Sequence, residues 1–296
     1  MTAWGEGMRL WIRVVSLGVL AALAGCVMRY KEEYLVRPMP APAPSLEALK
    51  DGFPVFTFSE ARIPVADGAE LYSLRLLRPD AKATVLYFGG NGYRIGANAR
   101  FSAAVYADLP VNLVLVDHRG YGASTGAPRM EALMDDALAV YDDLRAYKAL
   151  AGVPLIVHGQ SMGSFMAGHV AAQRRLDGVV LESSATTTEA WVAYQRSLRP
   201  FWQRLLVRKV EVDGPLAGRG NLAVARGLDE PVLYVVGAED RTTPPAFSRE
   251  MYEATPLPVD RRQLLVVPER GHNDATRSDA FRQAMSAFVA RIVARG

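Results

Sequence analysis

Short apolar runs, almost free of polar interruption, recur at residues 84–88, 111–116, 155–158, 178–181, 231–236 and 263–267. A strand with one wet face alternates apolar and polar residues. A continuous β-branched run instead fits a strand covered on both faces, as in a parallel sheet. Parallel neighbours need crossover connections, and helical segments lie between most of these runs. Residues 130–150 carry Leu133, Ala137, Leu138, Tyr141 and Leu144 at three-to-four spacing, and residues 281–293 carry Phe281, Met285, Phe288 and Ile292 in the same way. Upstream, 55–58 and 70–77 read as strands with the turn signal Asp67-Gly68 between them, a hairpin for the sheet edge. The pattern predicts one α/β domain, residues 51–296, with a mostly parallel, doubly wound sheet. One stretch, 184–229, breaks the alternation. It shows no clear strand, holds Trp191, Tyr194, Phe201 and Trp202 with several arginines, and is too long for an ordinary connection. It predicts a short, mainly helical cap.

Half of the 296 residues are hydrophobic, which excludes a disordered chain. The net charge of +3 comes from both signs mixed along the sequence, with no basic block dense enough for nucleic acid. The single cysteine, Cys26, excludes an internal disulfide and a thiolate zinc site. Its position carries more. Arg9 and Arg13 precede an apolar run at 14–24, too short for a mature membrane span, that ends in small residues. This reads as a signal peptide over residues 1–25, with Met8 an alternative start. Leu23-Ala24-Gly25-Cys26 resembles a bacterial lipobox, which implies a lipidated Cys26 and a membrane-anchored lipoprotein, periplasm-facing or on the cell surface. An ordinary signal peptide with an incidental cysteine is the plain alternative. Alternating prolines follow at Pro38, Pro40, Pro42 and Pro44, so residues 26–50 read as a semi-rigid tether.

The sharpest chemical feature is Gly159-Gln160-Ser161-Met162-Gly163, between the run at 155–158 and a helical segment through Val170. A nucleophile on a tight strand-to-helix turn projects above the sheet, and glycines two positions away on each side leave it room. A serine hydroxyl needs a base, and the base needs an orienter. This architecture predicts the chain order serine, acid, histidine. His118 and His158 come too early, and His169 lies two turns along the same helix as Ser161. His272 alone is late enough, just past the last strand. For the acid, Asp240 follows the run at 231–236, with Glu239 as its backup and Glu182 as a remoter candidate. The developing oxyanion needs two donors. The backbone N–H of Met162 is one. The other should come from Gly89-Gly90-Asn91-Gly92, with Asn91 favoured and Gly90 or Gly92 as alternatives.

Taken together, the turn after 84–88, then Asp117-His118-Arg119-Gly120-Tyr121-Gly122-Ala123-Ser124, then Gly159–Gly163, Asp240 and His272 resemble an α/β hydrolase with a short helical cap. The Arg-Gly-Tyr-Gly segment is similar to the BEM46/ABHD13/ABHD17-like group, which includes esterases and protein depalmitoylases. The resemblance implies a serine hydrolase acting on a carboxylic ester or thioester, palmitate esters included, with no cofactor or metal. It also implies a structural role for Asp117. In that group a histidine usually precedes the glycine of the oxyanion loop; here Gly89 stands in its place.

Two other classes stay open at this point. Gly90-Asn91-Gly92 with Gly96 and Asp117 can be read as a dinucleotide-binding unit of an oxidoreductase, although the glycine spacing is off by one. A non-catalytic binding lipoprotein on the same fold is the other. The cap also has two readings: a lipid-facing surface rich in Arg196, Arg199, Arg204 and Arg208, or a helix with an apolar inner face and a solvated basic outer one.

Overall fold

The computed structural model describes residues 26–295. The predicted signal peptide, residues 1–25, therefore lies outside the described residues. The sheet has eight strands: β1 (Thr57–Pro64), β2 (Glu70–Leu77), β3 (Ala83–Phe88), β4 (Val111–Val116), β5 (Leu155–Gln160), β6 (Gly178–Glu182), β7 (Val232–Gly237) and β8 (Arg262–Val267). Their spatial order is β8-β7-β6-β5-β3-β4-β2-β1. β1 and β2 pair antiparallel, and β2 pairs antiparallel with β4, so the expected hairpin closes one edge. Every other pairing is parallel. The first hairpin strand starts at Thr57 and runs on to Pro64, well beyond the expected 55–58.

The uninterrupted apolar runs have the cause inferred from them, since helices cover both faces. Along β5, Leu155 and Val157 point into one core while Ile156 points into the other. On the first face lie α2 (Met130–Ala146), α3 (Gly163–Gln173) and α4 (Pro245–Ala254); on the second lie α1 (Ile95–Tyr106) and α5 (Asp279–Val293). Fully buried side chains such as Leu74, Leu86 and Phe281 each contribute about 1.5–3 kcal/mol. The helix expected over 130–150 stops at Ala146, and a separate single turn covers Lys148–Leu150.

Two expectations need correction. Residues 26–50 are not a free tether. Cys26–Tyr30 is a strand, Glu32–Leu35 and Leu46–Gly52 are short helices, and Val36 and Leu49 are buried. The alternating prolines are extended, as expected, but docked. The residues between them keep their N–H groups, and in an extended chain alternate N–H groups point the same way. Met39 and Ala41 donate to the carbonyls of Gly120 and Gly122, each at 2.8 Å. The prolines take the positions where no donor is needed.

The cap is mainly helical, as expected, but the expectation that it holds no strand fails. Helices Thr188–Ser197, Phe201–Leu206 and Leu222–Gly227 accompany a strand, Val207–Val212, that pairs in parallel with Cys26–Tyr30. That strand was hidden because its partner lies far away in sequence.

Candidate active site

β5 ends at Gln160 and α3 begins at Gly163, so the chain turns from strand to helix across Ser161 and Met162. Ser161 adopts φ 52°, a left-handed conformation that side-chain-bearing residues seldom occupy. A Cβ on Gly159 would overlap the Gly163 carbonyl and Ala167, and one on Gly163 would overlap the carbonyls of Phe88 and Gly89. Only glycine fits on either side of this turn. The Ser161 N–H donates to the Glu182 carbonyl on β6 at 2.9 Å, which ties the strained residue to the sheet.

His272 lies in the loop after β8. Its Nε2 accepts the Ser161 hydroxyl at 2.9 Å, and its Nδ1–H donates to Asp240 Oδ2 at 2.8 Å. A carboxylate only accepts, so the proton stays on Nδ1 and Nε2 keeps a free lone pair for the serine. Asp240 Oδ1 accepts the N–H groups of Thr242 and Thr243, each at 2.8 Å. Burial pushes the Asp240 carboxyl up, but the His272 hydrogen bond and charge, with the two threonine N–H groups, outweigh it and hold it below the ordinary carboxylate range. Among the three candidate acids, Asp240 alone meets His272. Glu239 is exposed, and the buried Glu182 carboxylate faces His158 Nε2 at 3.1 Å.

Three further residues hold the histidine loop. Gln160 Nε2 donates to the His272 carbonyl at 3.2 Å and to Asn273 Oδ1 at 3.1 Å. The Ser183 hydroxyl donates to the same carbonyl at 3.2 Å, and Thr243 Oγ1 lies 2.9 Å from Asp240 Oδ2. The sequence carries one hint of these: Gln160 sits inside the glycine-flanked turn. Ser183 and Thr243 have no local pattern at all.

The loop after β3 passes directly over the serine. A Cβ on Gly90 would overlap Gln160 Oε1 and come within 3.2 Å of Ser161 Cβ. Met162 and Asn91 line the same cavity as Ser161 and His272. Among the described residues neither backbone N–H is taken by a carbonyl or a side chain. The Asn91 side chain is occupied elsewhere, accepting from the Tyr121 hydroxyl at 3.1 Å.

His118 holds this loop from beneath. Burial pushes its pKa down, and its neutral ring, stacked on Phe88, donates from Nε2 to the Gly89 carbonyl at 2.7 Å. Asp117 acts as a clasp, its Oδ1 accepting from Ile95 N–H at 2.7 Å and its Oδ2 from Ala123 N–H at 2.9 Å. Both oxygens are thus spent within the chain, and a Cβ on Gly96 would strike the Pro42 carbonyl. Asp117 is fully buried and engaged by backbone N–H groups, not presented to a ribose as the dinucleotide reading needs.

The cavity over Ser161 measures about 270 Å³. Phe165 and Ala185 form part of its wall, the cap contributes Trp191, and the N-terminal segment contributes Tyr30, Tyr34 and Leu35. Among the described residues, no group of three His, Cys, Asp or Glu side chains is arranged to hold a metal ion. On the outer side of the cap, helix Phe201–Leu206 buries none of its residues, with Phe201 73% and Leu205 67% exposed. The apolar inner face, one of the two readings of the cap, is absent from this helix but present on the cap helix Thr188–Ser197, where Val192 is buried and Trp191 and Tyr194 pack against the core.

Residues 79–217 match the model of a family described as serine aminopeptidase, S33. The protein Bem46 of Schizosaccharomyces pombe is 24% identical over 291 residues, which span 94% of this chain and 91% of that one. Human alpha/beta hydrolase domain-containing protein 17B is 25% identical over 213 residues, 72% of this chain and 68% of that one. Among solved structures, an esterase of Pyrococcus furiosus superposes with a TM-score of 0.64 at 18% identity, covering 87% of this chain and 97% of the other. A proline iminopeptidase of Mycobacterium smegmatis gives 0.63 at 16% identity, covering 80% and 99%.

Proposed function

Because the chain is an α/β hydrolase of the BEM46/ABHD-like kind, we propose that it is a serine hydrolase cleaving a carboxylic ester or thioester through an acyl-enzyme. One observation carries this reading: the Ser161 hydroxyl stands 2.9 Å from an imidazole whose other nitrogen is 2.8 Å from a buried carboxylate, on the wall of an open cavity. Ser161 Oγ bonds to the acyl carbon as its proton passes to His272 Nε2. The N–H groups of Met162 and Asn91 hold the oxyanion. The bond to the leaving group then breaks, and the departing alcohol or thiol oxygen or sulfur takes the proton from Nε2. Water repeats the sequence: its proton goes to Nε2, its oxygen bonds to the acyl carbon, and Ser161 leaves and recovers a proton. Asp240 stays ionised throughout, fixing the tautomer and stabilising the imidazolium.

A fluorophosphonate probe tests the assignment. Wild-type protein is expected to label and Ser161→Ala is not. Equal labelling of both would overturn the nucleophile. A folded wild type that neither labels nor turns over p-nitrophenyl acetate would favour the non-catalytic binding protein.

We further propose that Cys26 carries lipid and anchors the enzyme in a bacterial envelope, facing the periplasm or the cell surface. Two features support this. The apolar run at 14–24 leads directly to Cys26, which pairs with Val207 at the end of the exposed helix Phe201–Leu206. The uncovered Phe201, Trp202 and Leu205 beside several arginines also suit a lipid surface better than a solvated cap. Metabolic fatty-acid labelling that survives Cys26→Ser would refute the anchor.

A further inference from the structure

A second cavity of about 130 Å³ adjoins the one over Ser161, and Tyr30 and Trp191 line both. Its apolar walls are Met28, Val192, Val207 and Val210; Gln195, Arg196 and Gln203 also line it, with the exposed Arg199 and Arg204. One wall is the ribbon in which Met28 pairs with Val210; the opposite wall is the cap helix Thr188–Ser197. The corner between them is braced, because Arg196 Nη2 donates to the Arg204 carbonyl at 3.0 Å and the Val207 carbonyl at 2.6 Å.

We propose that this second chamber is an acyl-chain site, that the Tyr30–Trp191 pair divides it from the catalytic chamber, and that the preferred substrates carry unbranched acyl chains long enough to pass the pair. The proposal rests on Ser161 being the acylated nucleophile. Three observations carry it. The four walls named are apolar, and each methylene moved there from water favours binding about fourfold. Among the described residues, Tyr30 and Trp191 are the two that line both cavities, and their rings pack edge to face with centroids 5.3 Å apart. The two rings are held unequally. Trp191 Nε1–H donates to the Thr242 carbonyl at 3.0 Å, whereas the Tyr30 hydroxyl has no hydrogen-bond partner among the described residues. Tyr30 is thus the half without a hydrogen-bond anchor; its ring packs edge to face on Tyr34, with centroids 5.9 Å apart, and it belongs to the N-terminal strand rather than to the hydrolase core.

The test compares kcat/KM on p-nitrophenyl laurate with that on p-nitrophenyl acetate in the full chain. Val210→Trp fills the chamber beyond the divide, and the laurate-to-acetate ratio is expected to fall about tenfold or more. Tyr30→Ala opens the divide, and the ratio is expected to rise. If Val210→Trp does not fold, Met28→Trp on the facing strand makes the same measurement. A ratio unchanged in the folded tryptophan variant overturns the acyl chamber while leaving Ser161 in place. Hydrolysis of both esters that persists in Ser161→Ala overturns the nucleophile instead.

Discussion

Replacing Asp240 by asparagine isolates what the carboxylate does for the histidine. The two N–H groups of Thr242 and Thr243 point at Oδ1, so an asparagine there must keep its carbonyl oxygen on that side. Its NH2 group then takes the Oδ2 position, 2.8 Å from His272 Nδ1. Two donors cannot share that gap, so the imidazole moves its proton to Nε2 and Nδ1 becomes the acceptor. Nε2–H now faces Ser161 Oγ across 2.9 Å and can no longer take the serine proton. Loss of the correct tautomer in a serine triad costs about 10⁴-fold in kcat, or about 5 kcal/mol of transition-state stabilisation. The assay is steady-state hydrolysis of p-nitrophenyl acetate, with thermal unfolding as the check on folding. KM should change little, because Asp240 touches no substrate. A folded Asp240→Asn protein that loses less than about tenfold would refute the reasoning, and Glu239 or Glu182 would need testing in its place.

Other perturbations follow from the same contacts. Gly163→Ala drives a methyl group into the carbonyls of Phe88 and Gly89 and displaces the oxyanion loop, so kcat should fall about 10²-fold while far-ultraviolet circular dichroism stays native. Arg119 grips the buried Asp136 with two bonds, at 2.9 and 2.6 Å, and reaches Asp67 at the hairpin turn. Arg119→Ala strands that carboxylate, and urea unfolding should show a loss of about 3–5 kcal/mol. Asp117 supplies a pH signature. Burial raises its carboxyl from 3.8 to about 6, so the folded protein holds a proton that the unfolded chain has already released. The associated stability is complete below pH 3.8 and is lost as pH rises to about 6, an effect of about 3 kcal/mol. Urea midpoints of Asp117→Asn should lack that decline; identical pH profiles for variant and wild type would contradict it. Tyr121→Phe removes the acceptor for the Arg37 N–H at 3.0 Å, and it should loosen the N-terminal segment at a cost of about 1 kcal/mol, read as faster proteolysis near Arg37.

The continuous apolar runs announced the parallel sheet because burial on both faces leaves no room for alternation. The glycines at 159 and 163 announced the serine turn because no side chain fits there. Chain order then pointed to His272 and Asp240, since loops at the carboxyl ends of β5, β7 and β8 meet above the sheet. Those features are local or follow from topology, and a sequence displays them openly.

The rest depended on partners distant in the chain. A proline-rich stretch looks alike whether it hangs free or lies docked; only the Gly120 and Gly122 carbonyls opposite Met39 and Ala41 decide which. The strand Val207–Val212 exists because Cys26–Tyr30 lies beside it. Gln160, Ser183 and Thr243 reach the histidine loop from three separate elements, and no spacing rule links them. What the amino-acid order determined by itself was the scaffold and the serine, acid and histidine on it, because periodicity and steric need are written residue by residue. What tertiary structure alone decided was the cavity: its N-terminal wall, its second chamber and the ring pair between them arise from side chains more than a hundred residues apart in sequence.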